Sequence, residues 1–168
     1  MLTNLDFGDN KKITINQNFF HNFSAIGIRL GTQNSIHEDI KILENSFLDG
    51  AIGISSYAYS NYAKVPSDVE IRLNQFNNIT HGSQLTLIGG RDYTITDNII
   101  KDAGYGISLF GSSIATRNLT IENNTINSEM NGILYSCGIY DANIKNNLIL
   151  KNTICLLYTS DAADEEDS

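Results

Sequence analysis

Apolar and polar positions alternate along this chain in short period-2 stretches, and the stretches themselves recur. Aligned on I-x-x-N, the copies are "ITINQNFF", "IKILENSF", "VEIRLNQF", "YTITDNII", "LTIENNTI" and "ANIKNNLI". The aligned asparagines are Asn18, Asn45, Asn74, Asn98, Asn124 and Asn147, a repeat of about 25 residues. Three residues before each stands an isoleucine: Ile15, Ile42, Ile71, Ile95, Ile121 and Ile144. Two residues after each stands Phe20, Phe47, Phe76, Ile100, Ile126 or Ile149. A Gly-Ile follows in four copies, ending at Ile28, Ile54, Ile107 and Ile133, and Leu85 or Leu87 takes its place in the third.

Alternation of this kind predicts strands with one buried face, and no 3.6-residue stripe survives to support helices. Three short strands per unit, stacked on the next unit, predict an all-β solenoid of about six coils, with parallel sheets and right-handed crossovers. Equivalent inward residues then stack about 4.8 Å apart. Two roles are predicted for the asparagine column. Each Asn takes a left-handed backbone at a sharp turn, and its amide bonds the Asn of the next coil as an internal ladder.

These repeats resemble the right-handed parallel β-helix superfamily, which includes pectate lyases and polygalacturonases, over roughly residues 11–154. The stretch "LIGGRDYTITDNIIKDAGYGISLFG" is similar to bacterial β-helix repeat proteins found near carbohydrate-active enzymes. The resemblance implies a single right-handed parallel β-helix with a groove on the outer face of the third strand ("GIRL", "GISS", "LTLI", "GISL", "GILY"). It further implies a polysaccharide or oligosaccharide partner and an extracellular, periplasmic or cell-surface location.

Loops beside a rigid sheet are where function is expected on this architecture. Those entering the third strand align His21, Asp49, His81, Asp102 and Glu129 along one wall. Asp102 and Glu129, one coil apart, have the spacing of an acid/base pair for glycosidic cleavage. The alternative is that both are solvated loop carboxylates. His81 is the candidate general base, with Asp102 to set its tautomer, or else a surface histidine of a turn. It is similar to the His-Gly of polygalacturonases, but the Asn-x-Asp, Asp-Asp and Arg-x-Lys of that family do not follow on successive coils. Arg91 and Asp92 in "GGRD" are candidate sugar contacts or a structural pair. Tyr57, Tyr59 and Tyr62 offer flat faces for sugar rings or a lid over the sheet end. Asp49 completes the substrate-binding set.

Charge and cysteines exclude more than they select. The formal net charge is -8, of which Asp161, Asp164, Glu165, Glu166 and Asp167 supply five units, leaving about -3. No basic footprint for nucleic acid is present. Neither a zinc pattern nor a disulfide framework can be built from Cys137 and Cys155, and the acids do not cluster as calcium ligands. No metal and no cofactor are expected, nor a membrane span. The start "MLTNLDFGDNKK" shows no signal peptide. Asn-x-Ser/Thr sequons fall at Asn22, Asn78, Asn118 and Asn123.

The expected organisation is a lead-in at 1–10, the β-helix at 11–154 and a foreign tail at 155–168. "CLLYTSDAADE" resembles the translation of a transposase adapter used in sequencing libraries, which would make the chain a fragment of a longer solenoid. Two functional classes remain open: a β-helix that binds and cleaves a polysaccharide, and a non-catalytic adhesin, phage-tail or periplasmic scaffold.

Overall fold

The computed structural model describes residues 3–4, 10–30, 37–57, 65–79, 83–110, 116–135, 139–150 and 153–156. Its strands are β1 (Thr3–Asn4), β2 (Asn10–Asn16), β3 (Phe19–Leu30), β4 (His37–Leu43), β5 (Ser46–Tyr57) and β6 (Ser67–Arg72). There follow β7 (Gln75–Ile79), β8 (Ser83–Ile88), β9 (Gly90–Thr96), β10 (Ile99–Ala103), β11 (Tyr105–Phe110) and β12 (Thr116–Glu122). The last are β13 (Thr125–Ser128), β14 (Asn131–Tyr135), β15 (Ile139–Lys145), β16 (Leu148–Leu150) and β17 (Thr153–Leu156).

All described pairings are parallel and join each coil to the next. One sheet is six-stranded, in the order β15-β12-β9-β6-β4-β2. The other holds the remaining strands of every coil, with β3 and β5 running unbroken where later coils divide into β7/β8, β10/β11 and β13/β14. This is the predicted parallel β-solenoid, with second and third strands merged in the first two coils. The boundary expected at Cys155 falls inside β17, where Cys155 pairs with Leu134; residues 157–168 lie outside the described residues.

The columns seen in the sequence are physical stacks. Ile15, Ile42, Ile71, Ile95, Ile121 and Ile144 are register partners along the six-stranded sheet. Ile42, Ile71, Ile95 and Ile121 are completely buried. On the opposite wall, Phe20, Phe47 and Phe76 stack nearly flat, ring centroids 4.7 Å apart at each step and planes within 5° and 6°. Phe23 meets Phe47 edge-on. The coil repeat thus sets the ring spacing, and both lie near the sheet spacing of about 4.8 Å.

The asparagine ladder forms, with one correction to its geometry. Asn45 Oδ1 accepts from both the backbone N–H and the Nδ2 of Asn18, at 2.9 and 3.1 Å. The same double acceptance repeats from Asn45 to Asn74, Asn74 to Asn98, Asn98 to Asn124 and Asn124 to Asn147. Each Nδ2 also donates to carbonyls, as Asn74 does to Ile42 O and Arg72 O. The left-handed backbone does not belong to these asparagines. It belongs to the residue before each: Gln17, Glu44, Leu73, Asp97, Asn123 and Asn146, with φ between 54° and 58°. The turn is made one residue early, which leaves each ladder amide pointing inward.

Candidate functional site

Two further left-handed columns shape the surface. The residue four after the ladder position is left-handed at Asn22, Asp49, Asn78 and Asp102. The residue six before it is left-handed in all six coils, at Lys12, Asp39, Asp68, Asp92, Asn118 and Asp141. Neither column lies in a loop. Asp49 sits inside β5, Asp102 inside β10 and Asp92 inside β9. Each is a one-residue kink that the strand passes through, and Asn and Asp tolerate it because their short polar side chains bond locally.

This placement corrects several expectations. Asp49, Asp102, His21 and the pair Arg91–Asp92 are strand residues, not loop residues. The "GGRD" exit contracts to Gly89 alone between β8 and β9. Asp49 accepts a 2.6 Å hydrogen bond from Asn78 Nδ2 on the next coil. Asp92 accepts one of 2.8 Å from Asn118 Nδ2, and Arg91 Nε lies 3.8 Å from its other oxygen. Asp92 thus pairs across coils, while its contact with Arg91 stays within one coil.

Asp102 and Glu129 are both exposed. A register shift separates them: Ile100 pairs with Ile126 and Ala103 with Ser128, so Lys101 and Asp102 together face Asn127. Glu129 follows Ser128, and its N–H donates to Ala103 O at 2.7 Å. Tyr57 ends β5; His81, Tyr59 and Tyr62 lie outside the described residues. On the third strand the outward row runs Arg29, Ser55, Thr86, Ser108 and Leu134, and Ser55 and Ser108 are buried between larger register neighbours.

Among the described residues, a depression occurs on the six-stranded sheet. It is lined by Lys41, Asp68, Val69, Glu70, Asp92, Tyr93, Thr94, Asn118 and Thr120. Lys41, Glu70, Thr94 and Thr120 are successive register partners on the outer face of β4, β6, β9 and β12. Asp68, Asp92 and Asn118 border them from the kink column. The ladder pairs on either side of each kink but not at it, so these side chains form a rim. Four coils span about 14 Å, at about 4.8 Å per step.

The surroundings tie the rim down. Glu70 accepts from Arg72 Nε at 3.0 Å. The hydrogen bond and charge of Lys11, at 2.7 Å, hold the Glu38 carboxyl below its ordinary value, with Arg91 and Lys12 adding to the effect. Beneath the floor, Tyr93 is completely buried and its hydroxyl meets Ser56 Oγ at 2.5 Å. Burial pushes the Tyr93 phenol up from its usual value, and the Ser56 bond opposes part of that rise. Gly90, at φ 128°, makes room for this ring: a Cβ there would stand 2.4 Å from it.

Of the lining set, Lys41, Asp68, Glu70, Thr94 and Thr120 were not singled out in the sequence; Asp92 was, as a candidate sugar contact, and Asn118 only as a sequon. The signal was present in the repeat alignment, where the position six before the ladder is Asp or Asn in five coils of the six.

Among the described residues, no group of three His, Cys, Asp or Glu could hold a metal ion, and no helix is long and apolar enough to cross a membrane. A family model described as a right handed beta helix region matches residues 83–163. No curated protein and no solved structure matches the chain.

Proposed function

The chain is a right-handed β-helix repeat protein, and from that premise we propose that it binds an extended polysaccharide along the outer face of its six-stranded sheet. One observation carries the proposal: the depression presents one outward polar residue per coil, in register, over four successive coils. Sugar hydroxyls both donate and accept. Lys41 and the Asn118 amide supply donors, Asp68, Glu70 and Asp92 supply acceptors, and Thr94 and Thr120 supply both. A sugar chain lying parallel to the solenoid axis would meet one such step per coil, with Arg91 at the rim.

Cleavage is a separate catalytic extension on the other sheet, where Asp102 lies in β10 and Glu129 follows β13, with these two as acid and base and His81 assisting. The non-catalytic surface or structural β-helix is the second reading, and a specific observation favours it. Asp102 shares its left-handed position with Asn22, Asp49 and Asn78, so backbone conformation already accounts for an Asx residue there.

Affinity electrophoresis against a polysaccharide panel tests binding, and assay of reducing ends and unsaturated products tests cleavage. Retardation by at least one polysaccharide is expected, with loss on Thr94→Tyr plus Thr120→Tyr, which fills the depression. No retardation by any member would sink the proposal. Product formation that disappears in Asp102→Asn plus Glu129→Gln would establish the catalytic extension, and full activity in that double variant would remove it.

A further inference from the structure

Among the described residues, the outermost strands of the six-stranded sheet, β2 and β15, each pair on one side only. The core columns are open at the same two ends. Ile13, Ile15 and Phe20 on the first coil, and Ile144 and Ile149 on the last, are only partly buried. The isoleucines and phenylalanines that continue these columns on the inner coils are buried. Open strand edges of this kind invite pairing with another chain. The two ends are not alike; they are complementary.

The complementarity is sharpest at the ladder. On the inner coils each Asn Oδ1 accepts from the coil before it, and each Asn N–H donates to the coil after it. Among the described residues, no donor reaches Oδ1 of Asn18 and no acceptor meets the N–H of Asn147. One end therefore offers an acceptor and the other a donor. The side chains agree. Phe19 and Leu148 stand at opposite ends of one outward column, Phe19, Ser46, Gln75, Ile99, Thr125 and Leu148. They are 60% and 55% exposed. The kink column begins in Lys12, its one cation, and ends in Asp141. Within that column Asn118 donates to Asp92 on the coil before it, and a lysine placed after Asp141 repeats that direction.

We propose that this chain assembles head to tail, the first coil of one copy seated on the last coil of another. Asn147 N–H and Nδ2 then donate to Asn18 Oδ1 of the next copy, whose Phe19 N–H donates to Asn147 O. Leu148 packs on Phe19 of the next copy, and Asp141 meets its Lys12. β17 takes the place beside the next copy's β3, where β1 is held by two register pairs. A second copy is the occupant because only a coil of this cross-section presents all these groups together. The contact is heterologous and does not close, so it propagates into a rod rising about 29 Å per copy, at about 4.8 Å per coil. The outward row of Lys41, Glu70, Thr94 and Thr120 continues through Asn143 and Thr14 across each joint. The joint itself does not rest on the polysaccharide reading.

Sedimentation velocity of the full chain over a range of concentrations, with negative-stain electron microscopy, tests the joint. Species larger than the monomer are expected to grow with concentration and to appear as rods of solenoid width. Phe19→Glu and Leu148→Glu each bury a carboxylate in the joint, and each is expected to associate at least about tenfold more weakly. Mixed in equal amounts, the two variants retain one intact joint between them and are expected to stop at a pair of chains. That pair also shows that both variants fold. Monomer at every concentration of the unsubstituted chain overturns the proposal, as does undiminished rod growth by either variant. A mixture that stays monomeric while each variant keeps its strand circular dichroism overturns it as well. Pairs formed by one variant alone, at the unsubstituted affinity, mean that like ends meet and overturn the head-to-tail geometry.

Discussion

Asn74 lies at the centre of the ladder and shows what a single residue contributes to this fold. Its Oδ1 accepts two donors from Asn45, its Nδ2 donates to two carbonyls, and the side chain is completely buried. Asn74→Ala would leave the buried Asn45 N–H without an acceptor and remove one of the three bonds of the Asn45 amide, an expected loss of about 3 kcal/mol in chemical denaturation. Asn18→Ala, at an exposed rung, should cost less than about 1 kcal/mol. Equal losses would show that the ladder is not a buried network. Leu73 presents the opposite case. It occupies a left-handed position, φ 58°, that other coils give to Gln, Glu, Asp or Asn, and it is 42% exposed. Leu73→Asn should raise stability by about 1 kcal/mol, read as a shift in the denaturation midpoint.

Tyr93 carries a pH dependence whose sign follows from its environment. Burial raises its folded-state pKa above the unfolded value of about 10. Between the two values the folded state holds a proton that the unfolded state has lost. Its contribution is therefore fully present below about pH 10 and declines as pH rises above that. Tyr93→Phe removes this part of the alkaline decline, and at neutral pH it costs about 1 kcal/mol by leaving the Ser56 hydroxyl unpaired. Stability-against-pH curves for the two proteins should converge above pH 10. Parallel curves would mean that Tyr93 does not titrate differently on folding.

At the scale of the element, each strand of the six-stranded sheet is bent by its kink and packed by its inward pair. β9 shows the constraint most tightly, because Gly90 adopts φ 128° directly against the Tyr93 ring. Gly90→Ala is expected to cost about 3 kcal/mol from the backbone alone, and Tyr93→Leu should not fully rescue it. Full rescue would place the whole cost in the ring contact. The inward columns were legible in the sequence because burial on both neighbouring coils restricts each to Ile, Phe or Leu. The kinks were not. "LDGA" and "KDAG" have the composition of loops, yet a single left-handed Asp lets β5 and β10 run straight through. The same error placed Arg91 and Asp92 in a turn. Local chemistry favoured a turn, and parallel pairing to both neighbouring coils kept the segment in the sheet.

For the whole molecule, the repeat that builds the core also builds the surface. Any outward position recurs once per coil, so the row Lys41, Glu70, Thr94 and Thr120 and the rim Asp68, Asp92 and Asn118 follow from the same period as the ladder. That coupling is why a periodic ligand is the natural occupant and why the depression, not the Asp102–Glu129 wall, anchors the functional reading. The direct measurement is backbone amide shift mapping by NMR during titration with a bound oligosaccharide. The account predicts perturbations concentrated on β4, β6, β9 and β12, largest at Lys41, Glu70, Thr94, Asn118 and Thr120. Perturbations confined to the third-strand face or to the Asp102–Glu129 wall, with the six-stranded sheet silent, would contradict it.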